Sequence, residues 1–372
     1  MIFLTIFLLI FTYLFLSIWM RRRTLPPGPI PLPLLGNMHQ LAFKMFVKKK
    51  DFAESIRDFV KEYGSVHTFW FGPLATVHIC DYPNAADAMI RKGASFSNRE
   101  LPYLFDLSRK GRGILAANDT HWLEQRRFAL HTLKNFGLGR NIMEERIMFE
   151  FDITYADEEQ FFALKAKLDR LFDDFELYDL LLNKWTMRIP FLRQRVDAML
   201  KPQNDIVKFL QNQVDKRKKE IADGTHTFEG DGEDFVDAFL IQIEKEKQSN
   251  SPTSFDETTL AMTLLDLWTA GQETTATTLV WAFAYLLLHP QFDPDRYLKG
   301  ENIEQHVIPF GIGKRACLGE ALAKAELYLI IGNFLLRYGI SADPNCMPTM
   351  IPQSVMGVVR KATPYNIVFT RS

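Results

Sequence analysis

The chain has 372 residues, 47% of them hydrophobic, with 31 phenylalanines and a formal net charge of −1. That size allows one large domain or two ordinary ones, and a near-neutral balance leaves no basic footprint for nucleic acid. Three cysteines, Cys80, Cys317 and Cys346, are too few and too odd in number for a disulfide framework, and fit a reducing compartment.

Ile2 to Met20 carries no charge. As a helix it would rise about 28 Å, near the hydrocarbon thickness of a bilayer. Arg21, Arg22 and Arg23 follow, no basic side chain precedes the run, and no small-residue cleavage site ends it. Residues 1–20 therefore read as an uncleaved transmembrane signal anchor, with the arginines on the cytosolic side. Residues 21–45 form a basic, proline-rich linker. Its densest part, Leu25 to Asn37, can host neither a helix nor an inner strand, because proline fixes φ and lacks an N–H. Residues 46–372 form the body.

Asp51 to Tyr63 has helical periodicity. Ser65 to Ile79 is rich in β-branched and aromatic residues, and Gly72-Pro73 splits it into a hairpin. Tyr82 to Gly93 returns to helix, as does Thr120 to Asn135. In the latter, Trp122 and Arg126 are four apart and share a face. An indole N–H and a guanidinium only donate hydrogen bonds, so together they suit a carboxylate. A packed Trp beside a surface ion pair is the commoner explanation of such a pair taken alone. Asn118-Asp119-Thr120 matches a glycosylation sequon, which has no consequence on a cytosolic body.

Asn141 to Gln160 lacks clean periodicity, and Phe161 to Lys219 is largely helical. The basic run Lys216 to Lys219 and the acidic stretch Asp231 to Asp237 read as solvated helix ends and loop. Thr258 to His289 is a long apolar helix containing Ala270-Gly271-Gln272-Glu273-Thr274-Thr275. Glycine inside a helix costs about 1 kcal/mol against alanine, and here it would let a flat group approach. The Glu273 carboxyl and the Thr274 hydroxyl together form a plausible proton relay.

The most informative stretch is Phe310 to Gly319. Its glycines bracket Cys317 just before a helical pattern over Glu320 to Tyr338. N–H groups and the positive dipole end at a helix start favour a thiolate, and an axial thiolate is one way to hold haem iron. Phe310, Gly311, Gly313, Arg315, Cys317 and Gly319 match F-G-x-G-x-R-x-C-x-G. The loop resembles the cysteine-ligand loop of cytochromes P450. A dinucleotide reading of Gly311 to Ala316 fails for want of a βαβ unit, and no C-x-x-C supports a thiol redox protein.

The resemblance covers most of the chain and implies a mainly α fold with small β-sheets and an N-terminal transmembrane helix. The linker is similar to the proline-rich hinge of microsomal members. By resemblance Cys317 is the iron ligand of haem b (iron protoporphyrin IX), and its electron push favours O–O cleavage. Trp122, Arg126 and Arg315 would hold the propionates. Ala270 and Gly271 would face the oxygen side, with Glu273 as acid and Thr274 steering protons to dioxygen. Phe310, Gly311, Gly313 and Gly319 would shape the cysteine cradle. The implied activity is insertion of one atom of O2 into a small lipophilic molecule (xenobiotic, fatty acid or steroid-like). Electrons would come from NADPH through a flavoprotein, the NADPH–cytochrome P450 reductase, at the endoplasmic reticulum membrane with the body cytosolic. Segments 101–113 and 355–358 would line the substrate pocket.

One departure stands out. The family carries a long block, with an E-x-x-R helix and sheet strands, between the end of the threonine-bearing helix and the cysteine loop. Here Leu288-His289-Pro290 runs almost directly to Phe292 to Tyr297 and then Phe310. Glu54/Arg57 and Glu124/Arg127 fit the E-x-x-R spacing but lie in the wrong region. Arg296 would lack its Glu–Arg partners, at a cost of about 3–5 kcal/mol if it is buried. The stretch 291–309 could still span about 65 Å, so the two haem-contacting elements can meet. A second shortening near 150–160, and unpaired edges on the N-terminal hairpin, are further expectations. The alternative is a truncated, catalytically inactive haem-binding or misfolded membrane protein.

Overall fold

A computed structural model describes residues 2–136, 155–228, 230–249, 253–293, 295, 307–353 and 359–371. Helix α1, Ile2–Arg22, ends in Arg21 and Arg22, cations that complement its C-terminal dipole. It is long and apolar enough to cross a membrane, and none of its apolar stretch is buried against the body.

The proline-rich linker is strapped to the first strand. Strands β1, Val66–Phe71, and β2, Leu74–Ile79, pair antiparallel from Val66↔Ile79 to Phe71↔Leu74. The carbonyl of Pro27 accepts from Thr68 N–H at 2.8 Å, and Asn37 and Trp70 exchange two bonds at 2.8 and 2.9 Å. Proline can accept a ladder bond although it cannot donate one. The outer edge of β1 is therefore covered by the linker rather than bare, which corrects half of the expectation of an unpaired hairpin.

Short helix α2, Met38–Ala42, runs into a π-turn, and α3, Phe52–Tyr63, starts at an Asp51–Glu54 capping box. These elements and β1 enclose Met38, Leu41, Met45, Phe59 and Phe69. Helix α4, Tyr82–Ala86, continues as a π-turn over Asp87–Arg91. Helix α5, Tyr103–Arg109, then leads to α6, Asp119–Asn135.

The main core is helical. It packs α6 with α7 (Tyr155–Asp173), α8 (Pro190–Ala222), α9 (Phe235–Ser249) and the first half of α10 (Glu257–Leu288). Half-buried Phe128 of α6 meets the buried rings of Phe235, Phe239 and Phe255 edge-on. Thr259 to Leu265 is buried on every side, so α10 begins as a central core helix. Asp266 ends this buried run. It pairs with Arg109, itself 2% exposed, and accepts from the N–H groups of Ile114 and Leu115 at 2.8 and 2.9 Å. The loop after α5 is thereby tied to the middle of α10.

Helix α11, Glu320–Arg337, follows the cysteine loop, and β3, Tyr338–Ala342, follows α11. Strand β3 pairs antiparallel with β4, Ile367–Arg371. The partner of β4 thus lies just after α11, and 355–358 lies outside the described residues. Tyr328 and Leu336 of α11 are 79% and 82% exposed, so one apolar face of this helix has no cover among the described residues.

Removing the Asp266 carboxylate strands a buried guanidinium and two N–H groups. Asp266→Ala should lower the unfolding free energy by about 3–5 kcal/mol, read from denaturant titration of the full chain. Arg112→Ala, at a half-exposed pair with Asp256, should shift it by under about 1 kcal/mol.

Candidate functional site

The cysteine loop closes on itself. Cys317 N–H donates to the Phe310 carbonyl at 2.8 Å, and Ala316 N–H to Gly313 at 3.1 Å. Gly313 has φ +77°, and a Cβ there would lie 2.0 Å from the Met89 carbonyl in the π-turn after α4. Conformation and contact both demand glycine at this point. Gly311, at φ +71°, is required by conformation alone. Phe310 is half-buried under the Lys324 ammonium, 5.5 Å from the ring centroid. Gly319 precedes the first turn of α11, so exposed Cys317 sits just before a helix N-terminus.

Helix α6 abuts the loop. Arg126 donates to the Ala316 carbonyl at 2.7 Å, next to the cysteine. Arg315 reaches back across Trp122, its guanidinium carbon 3.9 Å from the ring centroid. Its N–H groups donate to Ser97, Ile114 and Ala117 carbonyls at 2.6, 3.1 and 2.6 Å, and to Asn118 Oδ1 at 3.2 Å. Arg99 joins this group. Burial lowers the pKa of Arg99, against the nearby Asp266 charge. Burial also lowers Arg126, opposed by Cys317 and aided by Arg99. Burial, then Arg99 and Arg126, push Arg315 down to about 10. None of these three arginines forms a salt bridge with a carboxylate among the described residues. The Trp122 indole N–H is buried without an acceptor among the described residues.

On α10 the helix opens where the buried run ends. Ala270, Gly271, Thr274 and Thr278 form an exposed stripe. A Cβ on Gly271 would meet nothing within 4 Å among the described residues. Thr274 donates to the Ala270 carbonyl at 2.6 Å, and Thr278 to the Thr274 carbonyl at 2.8 Å. Thr275 on the adjoining face bonds Glu326 of α11 at 3.3 Å, tying the stripe to the helix behind the cysteine loop. Glu273 points elsewhere: it is buried and pairs with Lys361 at 3.1 Å.

These features fit a haem. Among the described residues no group of three or more His, Cys, Asp or Glu side chains could hold a metal ion. A haem brings its own nitrogen ligands, so one protein thiolate such as Cys317 would suffice to hold it. Unpaired guanidinia and an orphaned indole N–H suit two propionates. The open stripe of α10 leaves room for a flat ring.

The family model described as Cytochrome P450 matches residues 26–147, 140–291 and 291–369. The chain belongs to the cytochrome P450 family. It is therefore by family a haem-dependent monooxygenase, acting with O2, a lipophilic substrate and a redox partner. The probable cytochrome P450 cyp-35D1 of Caenorhabditis elegans is 28% identical over 469 residues, covering 91% of this chain and 94% of the relative. Cytochrome P450 2C8 of Homo sapiens is 29% identical over 487 residues, 96% of each chain. Cytochrome P450 2C23 of Rattus norvegicus is 25% identical over 483 residues, 95% of each. All three alignments run longer than the 372 residues of this chain, so each leaves stretches of the relative without a counterpart here. Two of the family-model segments meet at residue 291.

Of the residues singled out from the sequence, Trp122, Arg126 and Arg315 converge beside the cysteine loop. Ala270, Gly271 and Thr274 share one open stripe, and Glu273 does not belong to it. Arg296 and Tyr297 lie outside the described residues. Arg99, Met89 and Lys361 were missed. Each is an unremarkable side chain in a loop, turn or irregular segment, and only tertiary contact marks it. Gly313→Ala should abolish haem incorporation, whereas Gly311→Ala, strained but unhindered, should retain part of it; the haem-to-protein absorbance ratio of purified protein checks both. Arg126→Ala should accelerate haem loss to apomyoglobin by roughly tenfold or more, as the loss of one charged hydrogen bond implies.

Proposed function

We propose that this chain is a membrane-anchored haem-thiolate monooxygenase that hydroxylates small lipophilic molecules (xenobiotic, fatty acid or steroid-like). Its electrons come from NADPH through a flavoprotein reductase. The observation that carries this reading is the convergence at Cys317: an exposed cysteine before a helix start, flanked by arginines with no carboxylate partner among the described residues.

Haem b bound here would supply dioxygen reduction and oxygen insertion. Cys317 would supply the thiolate that holds its iron. Arg99, Arg126 and the one guanidinium N–H of Arg315 left free by its four bonds would meet the propionates, with Trp122 donating from its indole. Ala270 and Gly271 would lie against the ring. Thr274 has its own proton committed to the Ala270 carbonyl at 2.6 Å, so its oxygen is free to accept and hold a water over the open face. Glu273, buried and paired with Lys361, lies off this stripe, so the expected acid role is not assigned to it. Residues 101–113 supply one wall of the substrate space, and Gly113 lies against Asp266 there.

The boundaries follow: a span over 1–20, a linker over 21–45 and the body over 46–372. The endoplasmic reticulum membrane, with the body on the cytosolic side, suits the apolar α1 and the arginines Arg21 to Arg23 that follow it. A block present in relatives is absent near 290–292, where two of the matched family segments meet.

Reduced, carbon monoxide-treated membranes containing the full chain should show a thiolate-type Soret band that Cys317→Ser abolishes. A folded chain with no haem absorbance at all overturns the reading. Thr274→Ala should keep the band yet lower product formed per NADPH by roughly 10²-fold or more, the usual scale of a lost proton-transfer group.

A further inference from the structure

Two residues at the start of α6, Asn118 and Asp119, are each bonded twice to the loop before α5. Asn118 stands at the N-cap with extended backbone, φ −128° and ψ 171°, the usual geometry of a capping asparagine. Its side chain nevertheless caps nothing in α6. Instead its Oδ1 accepts from the Arg99 N–H at 2.7 Å, and its Nδ2 donates to the Arg99 carbonyl at 2.9 Å. A primary amide carries an acceptor and a donor side by side, so it meets the backbone of one residue as a neighbouring strand would. The same Oδ1 also accepts from Arg315 at 3.2 Å. Next along the chain, Asp119 has φ +52°, a left-handed conformation that side chains rarely adopt. Asn98 holds it there: Asn98 Nδ2 donates to the Asp119 carboxylate at 2.6 Å, and Asn98 Oδ1 accepts from the Asp119 N–H at 3.0 Å. Strain of this kind persists only where the surroundings over-determine it. The sequon that begins at Asn118 thus has its amide nitrogen already committed inside the fold.

We infer that Asn118 is the positioning residue of the arginine cluster, spending its side chain on Arg99 and Arg315 rather than on its own helix. This rests on the proposed function, since the anion that the cluster would meet is a haem propionate. The physical argument concerns spacing. Arg99, Arg126 and Arg315 carry like charges, so their mutual repulsion drives them apart and something neutral must set their places. Arg126 and Trp122 ride on α6, about two turns and one turn after Asn118. The Asn118 carbonyl accepts from the Trp122 N–H at 3.1 Å, while its side-chain amide holds Arg99 and Arg315. One residue therefore refers the helix, the loop and the cysteine segment to a common point. The Arg99 guanidinium itself is held only loosely, by the Leu115 carbonyl at 3.4 Å, so its aim depends on where its backbone is fixed. A neutral amide does this without supplying a carboxylate that would compete for the guanidinia.

The test uses the full-length chain in lipid nanodiscs and the variants Asn118→Ser and Asn118→Asp. Both substitutes cap a helix as well as asparagine does, but neither has the donor and acceptor that pair with the Arg99 backbone. Asn118→Ser should lose haem to apomyoglobin about three- to tenfold faster than the wild type, the scale of one ordinary hydrogen bond. The propionate bending band in its resonance Raman spectrum should shift. An asparagine that merely caps α6 leaves both at their wild-type values, and that result overturns the proposal. Asn118→Asp sets a carboxylate against Arg99 and Arg315 and should lose haem faster still; wild-type retention overturns the proposal, and this variant decides the matter if Asn118→Ser does not fold. Phenylglyoxal labelling of the haem-free chain, read residue by residue by mass spectrometry against exposed Arg57, needs no haem. Arg99 should label several-fold faster in Asn118→Ser than in the wild type, and equal rates overturn the positioning role. Absence of the thiolate band sinks the proposed function alone, since the labelling still decides what Asn118 holds.

Discussion

Arg315 is the junction through which the two ends of the chain meet. It lies two residues before Cys317, yet its guanidinium bonds three carbonyls in 97–117 and stacks on Trp122 of α6. A lysine could not do this, because a point charge lacks the planar fork that meets several acceptors while stacking on an indole. The cost is electrostatic. Arg99 and Arg126 stand close enough to lower its pKa, and no carboxylate compensates among the described residues. A cluster of like charges, held together by backbone carbonyls, is a state that an anionic ligand relieves. The fold that positions the cysteine therefore also prepares the charge that would hold a propionate-bearing group over it.

Helix α10 divides the molecule by burial. Its first half is enclosed by α6, α8 and α9 and fixes the core. Its second half exposes Ala270, Gly271 and Thr274. Asp266 stands at the changeover, where its pairing with Arg109 and the N–H groups of Ile114 and Leu115 ends the packed run. Rigid support on one side and an open surface on the other is what a site needs if its residues are to hold position without being filled by their own neighbours. The far side of the site is less supported. Helix α11 carries the cysteine loop, but none of its side chains is buried, and Tyr328 and Leu336 face outward. Exposed apolar area of this kind marks a surface that wants a cover.

Element types were legible from periodicity and composition. The capped start of α3, the hairpin turn at Gly72-Pro73 and the long apolar α10 all follow from local rules. The pairing of β3 with β4 was not legible, because a strand chooses its partner by proximity, and only the end of α11 places Tyr338 beside Arg371. The linker was read as a spacer from its prolines. Its role as a cover for β1 depends on carbonyls, which every residue has and which composition cannot reveal.

The site divides in the same way. Cys317, Gly313, Trp122, Arg126 and Thr274 were visible because their chemistry is concentrated in short spacings, which a chain can encode without knowing its fold. Arg99 and Lys361 have no such spacing. Arg99 matters because α6 and the cysteine loop converge on it, and Lys361 because the C-terminal segment crosses α7 and α10 beside Glu273. The sequence alone determined which atoms could ligate, donate and relay. Tertiary structure alone decided which charges stand unpaired and which way Glu273 turns, because electrostatic energy depends on distance in space and not on separation along the chain.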